Sequence, residues 1–274
     1  MNNVIQWFAE PLSLPFMQNA LLTALIVSII CAVLSCYLVL KGWSLMGDAI
    51  SHAVLPGIVI AFMLGIPLII GAFVSGLLCA LGVGYLKEYS RIKEDTVMGI
   101  VYSGMFGLGL VLFTKVETDQ HLTHILFGNL LGVSSAEMLQ TAVISAFVFI
   151  VIMLKRRDFL LYCFDPSHAR VAGLSPRFLY YGLLVLLSLT IITTMQMVGV
   201  ILVVAMLISP GITAYLLSKR FDRMLIIAIF TSVFSSLFGT LMSYHINADI
   251  GPSIIIIQAI LFSLALIWSK WATK

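Results

Sequence analysis

The chain has 274 residues, of which 61% are hydrophobic and only 10% charged, and its formal net charge is +3. With a mean hydropathy of +1.11 against the roughly 25% charged residues of a soluble domain, there is too little polar surface to face water. The basic excess does not point to nucleic acid, because the Lys and Arg residues lie in short loops between apolar stretches and form no continuous patch.

Residues 1–15 carry no Lys or Arg ahead of the first apolar run, and no small-residue cleavage site follows it. The first span is therefore expected to stay in the protein. Membrane spans are predicted at 16–40, 53–66, 68–86, 96–114, 137–154, 179–194, 197–217, 224–244 and 253–269. Most are long enough to cross ~30 Å of hydrocarbon. The second is short and interrupted by Pro56 and Gly57, so the expected fold is all-α, a polytopic helical bundle of eight or nine spans. Residues 1–274 read as one transmembrane domain. The four cysteines (Cys31, Cys36, Cys79, Cys163) show no CxxC spacing and read as small apolar residues.

Orientation follows from the basic loops. Lys87, Arg91 and Lys93 lie in one loop, and Lys155, Arg156, Arg157, Arg170 and Arg177 in another. Lys219, Arg220 and Arg223 form a third, and Lys270 and Lys274 close the chain. These alternate along the sequence, whereas the opposite loops hold Lys115, Glu117, Asp119, His121 and His124, then His245 and Asp249. The positive-inside rule places the basic loops and the C-terminus in the cytoplasm. The N-terminus is outside if the spans number nine.

The stretch 41–57, KGWSLMGDAISHAVLPG, holds Asp48 and His52 four residues apart. On a helix that spacing puts both side chains on one face; on a strand they would be about 13 Å apart. Gly47, Ala49, Ser51 and Ala53 around them let neighbouring helices approach. A carboxylate oxygen with an imidazole nitrogen suits Mn²⁺, Fe²⁺ or Zn²⁺, whereas Ca²⁺ and Mg²⁺ prefer oxygens alone. Three readings fit the spacing: passage of a metal ion, a proton relay, and a capping Asp48 bonded to His52. Ionisable groups in a span are costly and mark pathways or ion sites.

Between 155 and 178 lies the longest basic-side connection. Asp165 followed by Pro166 reads as an N-cap with proline at the first helical position, and Pro176 ends the run. Ala169 and Gly173, four residues apart, place two small residues on one face of a short cytoplasmic helix, where another protein's groove could approach; an amphipathic surface helix is the plainer alternative. Glu94, Asp95 and Thr96 read as ordinary capping ahead of a span. On the opposite side, His121 and His124 are spaced to meet an incoming ion or to sit on an interfacial helix, and His245 and Asp249 are candidates for an outer vestibule. His168 reads as a surface residue, and the 13 methionines are scattered and read as core filling.

The run LKGWSLMGDAISHAVLPG resembles the signature of the metal-uptake ABC permeases, the membrane subunits of bacterial manganese, iron and zinc importers. Four further stretches agree in order: KEDTVMG at 93–99, LFGNLLG at 126–132, FDPSHARVAGL at 164–174 and VGVILVVAMLISPGITAYLLSKRFDRM at 198–224. The resemblance implies that Asp48 and His52 are metal ligands in the translocation path. It implies that a segment of about 159–177, with Asp165, Pro166, Ala169 and Gly173, docks a cytoplasmic ATPase. It further implies a delivering extracytoplasmic binding protein, a second permease copy or homologous sister, and a bacterial plasma (inner) membrane location. The manganese and iron branch looks closest, with zinc an alternative cargo; no permanently bound cofactor is implied. In the run YHINADIGPS, Asn247 stands where the family often carries an acidic residue. With no GxxxxGK[ST] loop in the chain, ATP hydrolysis is expected in a separate subunit. The rival reading is a self-sufficient proton-coupled carrier, which would usually show an inverted internal repeat; none is visible.

Overall fold

A computed structural model describes residues 10–43, 45–115 and 130–272. Among these the secondary structure is helical, without strands. The helices are α1 (Pro15–Lys41), α2 (Met46–Ala53), α3 (Leu55–Leu64), α4 (Leu68–Tyr89), α5 (Glu94–Phe113) and α6 (Ser135–Leu154). They continue as α7 (Arg156–Phe164), α8 (Pro166–Val171), α9 (Pro176–Val198), α10 (Val200–Leu217), α11 (Phe221–Ile246) and α12 (Ile250–Ala272). Nine candidate membrane spans are found among the described residues, and each matches a stretch expected from hydropathy.

The second span departs from expectation. It runs from Met46 to Leu64, not from 53, and so takes Asp48 and His52 inside it. Gly47, Asp48, Ser51 and His52 lower its mean hydropathy to 1.6, the smallest of the nine, which hides its first two turns from a hydropathy reading. The span is two helices, α2 and α3, meeting at Val54. Pro56 follows the junction and has no N–H to donate back to the carbonyl of His52.

Contacts divide the chain into two compact units. One gathers α1, most of α6, and α10 to α12; the other gathers α2 to α5, α7, α8 and most of α9. In the first, α10, α11 and α12 pack pairwise. Pro210 lies inside α10, and the break it makes is bridged from α1. The Ser35 hydroxyl accepts from the Gly211 N–H at 2.9 Å and donates to the Ile208 carbonyl at 3.3 Å. Ser232 of α11 likewise donates to the Ser28 carbonyl of α1 at 3.0 Å.

In the second unit the closest packing is between α3 and α4. A Cβ placed on Gly57 would lie 2.0 Å from the Gly71 carbonyl oxygen, and one on Gly71 would lie 2.1 Å from that of Gly57. The two backbones touch directly, as small residues permit in hydrocarbon, where apolar burial no longer drives helices together. Four residues on from Gly71, the Ser75 hydroxyl donates to the Ala53 carbonyl at 2.6 Å.

Gly57→Ala is therefore expected to force α3 and α4 apart and to cost about 1–3 kcal/mol by overpacking. Gly82→Ala in α4, where an added Cβ meets nothing within 4 Å, is expected to be neutral or to gain up to ~1 kcal/mol from helix propensity. Thermal unfolding of both variants in detergent checks the contrast, and equal behaviour would contradict this packing.

Candidate functional site

The approach to α2 is pinned before the helix begins. Trp43 is buried and meets the Tyr180 ring edge-on at 5.4 Å. From there α2 starts at Met46, which puts Asp48 in its first turn and His52 in its last. A carboxylate is favoured at a helix N-terminus by the unpaired N–H groups there.

Nδ1 of His52 lies 3.0 Å from the backbone carbonyl oxygen of Asp48 and 3.2 Å from its Oδ1. Both partners are acceptors, so Nδ1 carries the proton and donates it. In the neutral ring this leaves the Nε2 lone pair available, the tautomer a metal-ligating histidine adopts when its other nitrogen is held by a carbonyl or carboxylate. The ring is fixed from α5: Phe106 meets it edge-on at 5.3 Å and Tyr102 lies tilted at 6.0 Å. The side chains of His52 and Asp48 keep 29% and 36% of their surface accessible, so the pair is held in place without being sealed. Among the described residues no group of three or more His, Cys, Asp or Glu side chains is positioned to hold a metal ion. The pair thus offers one carboxylate and one imidazole on a single helix face.

The connection between α6 and α9 has the capping chemistry read from its sequence. Asp165 is the N-cap of α8, its Oδ1 accepting from the N–H groups of Ser167 at 2.8 Å and His168 at 3.0 Å, with Pro166 at the first position. Its C-terminal end closes in a Schellman turn. Gly173 adopts φ +81, and the Leu174 N–H donates back to the Ala169 carbonyl at 3.0 Å. Ala169 is fully buried and faces its own fold whereas Gly173 is exposed, so the two small residues do not share one outward face. What this segment exposes is apolar and larger: Phe164, Val171 and Phe178. His168 is exposed, as expected.

A run of rings ties this segment to the approach to α2. The Lys41 ammonium sits 4.2 Å from the centre of the Tyr162 ring. Tyr162 meets Tyr180 at 6.5 Å, and Tyr180 meets Trp43. Arg177 pairs with Glu88 at the end of α4. Beside Tyr162, burial pushes the Cys163 thiol up to about 12, against a smaller downward pull from Lys41.

The remaining candidates lie elsewhere in the chain. His121 and His124 lie outside the described residues. His245 is in the last turn of α11, edge-on to Tyr244 at 5.3 Å, and Asp249 is exposed between α11 and α12. Both belong to the first unit, Asp48 and His52 to the second. Asn247 takes the left-handed conformation (φ +53) that ends α11, a conformation asparagine tolerates well. Sequence reasoning missed Tyr102 and Phe106; their i, i+4 spacing was visible, but not which neighbour that face meets.

The nine apolar spans among the described residues, with a capped, apolar-tipped helix between two of them, make the chain a polytopic membrane subunit. The chain belongs to the ABC 3 transport family, which it matches over residues 13–269, and it is the membrane-spanning subunit of an ATP-binding-cassette transporter. It is 70% identical over 267 residues to a Haemophilus influenzae protein named "Probable iron transport system membrane protein", covering 97% of this chain and 98% of that one. It is 50% identical over 261 residues to the manganese transport system membrane protein MntB of Synechocystis, covering 95% and 85%. Among solved structures it resembles PsaBC from Streptococcus pneumoniae in complex with Fab, with TM-score 0.84, 39% identity and coverage of 96% and 95%.

Two expectations follow from the local geometry. Asp165→Ala is expected to cost about 0.5–2 kcal/mol and to speed hydrogen exchange at the Ser167 and His168 amides, with Asp165→Asn largely sparing both. At pH 7.5 Cys163 is expected to hold about three orders of magnitude less thiolate than an ordinary thiol of pKa ~8.5. Maleimide labelling of Cys163 should then be slow in the folded chain and rapid after unfolding.

Proposed function

We propose that this chain is the permease of an importer for a divalent transition metal, manganese or ferrous iron, and that Asp48 and His52 are its ligands in the translocation path. The observation that carries the assignment is the Asp48–His52 contact inside a membrane span: Nδ1 is engaged by the Asp48 carbonyl and carboxylate, which leaves the other ring nitrogen as the donor atom for an ion. One nitrogen and one oxygen match the preferences of Mn²⁺, Fe²⁺ and Zn²⁺. The names of the relatives, iron for one and manganese for another, favour the first two over zinc.

Two protein ligands hold such an ion loosely, since four to six positions must be filled. Loose coordination suits a carrier, because cargo must leave as readily as it arrives. Water or a second permease subunit would supply the rest. The whole chain acts as one permease domain, paired with a second copy or a homologous sister. The C-terminus and the basic loops lie in the cytoplasm of the bacterial inner membrane. There the α7–α8 segment, including Asp165, Pro166, Ala169 and Gly173, receives a separate ABC ATPase, with Phe164 and Val171 as its exposed apolar contacts. An extracytoplasmic binding protein delivers the ion on the other face, where His121, His124, His245 and Asp249 are the residues to test. ATP hydrolysis in the partner drives the permease between outward and inward states.

Cells expressing the chain with its partner subunits, at fixed low manganese and iron, provide the test. Asp48→Ala and His52→Ala are each expected to lower accumulation of one metal at least tenfold, with membrane insertion and ATPase assembly unchanged. Undiminished accumulation in both variants would remove the pair from the path. Uptake that follows the proton gradient and persists without the ATPase would point instead to a proton-coupled carrier.

A further inference from the structure

Along α10, α11 and α12 runs an apolar groove of about 720 Å³, contained wholly in the first unit. Leu217, Leu261, Leu264 and Trp268 contribute to its walls, together with Thr213 and Thr231. The two threonines add no polar surface. Thr213 donates its hydroxyl to the Ser209 carbonyl at 2.7 Å, and Thr231 donates to that of Ile227 at 2.9 Å. Along α12 the lining runs from Leu261 to Trp271, a rise of about 15 Å. That is half of the ~30 Å hydrocarbon thickness, the depth of one leaflet.

The open end has a different character. Leu217 is followed by exposed Lys219 and Arg220, and α11 begins with Arg223 in its first turn. On α12, Lys270 stands between Trp268 and Trp271, which are 70% and 80% exposed. Tryptophans flanking a cation mark the headgroup level of a bilayer. Charge favours an acidic headgroup over a further apolar helix at this end, because the exposed Lys219, Arg220 and Arg223 outnumber Asp222 where α10 gives way to α11.

We propose that this groove is a binding site for an anionic phospholipid, with an acyl chain along Leu261, Leu264 and Thr231 and the phosphate at the cationic rim of Lys219, Arg220 and Arg223. Basic pockets between helices at one membrane face bind acidic headgroups in this way. The inference rests on the chain's being membrane-embedded and is independent of the metal and its ligands.

Native mass spectrometry of the full chain released from detergent tests it, with phosphatidylglycerol and phosphatidylcholine of identical acyl chains as probes. The wild type is expected to retain phosphatidylglycerol at least fivefold over phosphatidylcholine. Leu264→Trp, at a position 58% exposed, fills the groove and should remove the retained lipid. Lys219→Gln with Arg223→Gln, outside the helix packing, should bring the two lipids to parity. Equal retention of both lipids by the wild type overturns the proposal, as does a phosphatidylglycerol preference that survives the loop variant. Retention unchanged by Leu264→Trp would assign the adduct to annular lipid. A disulfide between two chains through Leu264→Cys in native membranes would give the groove to a second copy instead.

Discussion

In hydrocarbon, a backbone N–H or carbonyl without a partner costs several kcal/mol, and no water is present to supply one. Everything distinctive in this fold is a departure from regular helix that satisfies this constraint locally. Each unit contains a proline within a span, and a serine from a neighbouring helix bonds backbone groups beside it. Ser35 of α1 does so at Pro210, accepting from Gly211 and donating to Ile208. Ser75 of α4 does so near Pro56, donating to the Ala53 carbonyl one residue past His52. A hydroxyl reaches a carbonyl only if the helices are close, and small residues allow that approach. The Gly57–Gly71 contact and the Ser75 hydrogen bond are thus one arrangement: the backbone contact brings α4 near enough for its serine to serve the break.

The ionisable pair sits in the helix ahead of that break. Asp48 gains from lying in the first turn of α2, which begins where the span begins. His52, at the other end of the same short helix, takes its proton partner from the backbone of Asp48 and its walls from two aromatic rings of α5.

Much of this was legible in the sequence because the governing signals are local. Apolar length over ~20 residues marks a span whatever surrounds it, and eight of the nine were bounded within a few residues. The Asp165–Pro166 cap was legible for the same reason: the bond from Ser167 and His168 to the Asp165 carboxylate spans two or three residues and needs no tertiary help. The start of the second span was not, because hydropathy counts Asp48 and His52 as water-seeking when their helix partners have already satisfied them. Nor was the direction of Ala169. A spacing of four defines a face but not which way it turns, and here it turns inward, leaving Phe164 and Val171 outside. The role of Asn247 was hidden likewise, since its place in the chain suggests a missing carboxylate whereas its φ of +53 shows a helix stop.

The rings around Tyr180 join the two regions that the sequence presented as separate. Tyr162 belongs to α7, Tyr180 to α9, and Trp43 to the approach to α2, five residues before Asp48. Tyr180 touches both of the others, and Lys41 closes the set over the face of Tyr162. Trp43 and Tyr162 are nearly free of solvent contact, and close-packed interiors transmit displacement because they have no slack to absorb it. Tyr180, half-buried between them, meets the Trp43 ring at 5.4 Å and the Tyr162 ring at 6.5 Å, so α7, α9 and the approach to α2 share one aromatic contact. The residue that anchors the approach to α2 is thereby packed against the same ring that Tyr162 of α7 meets.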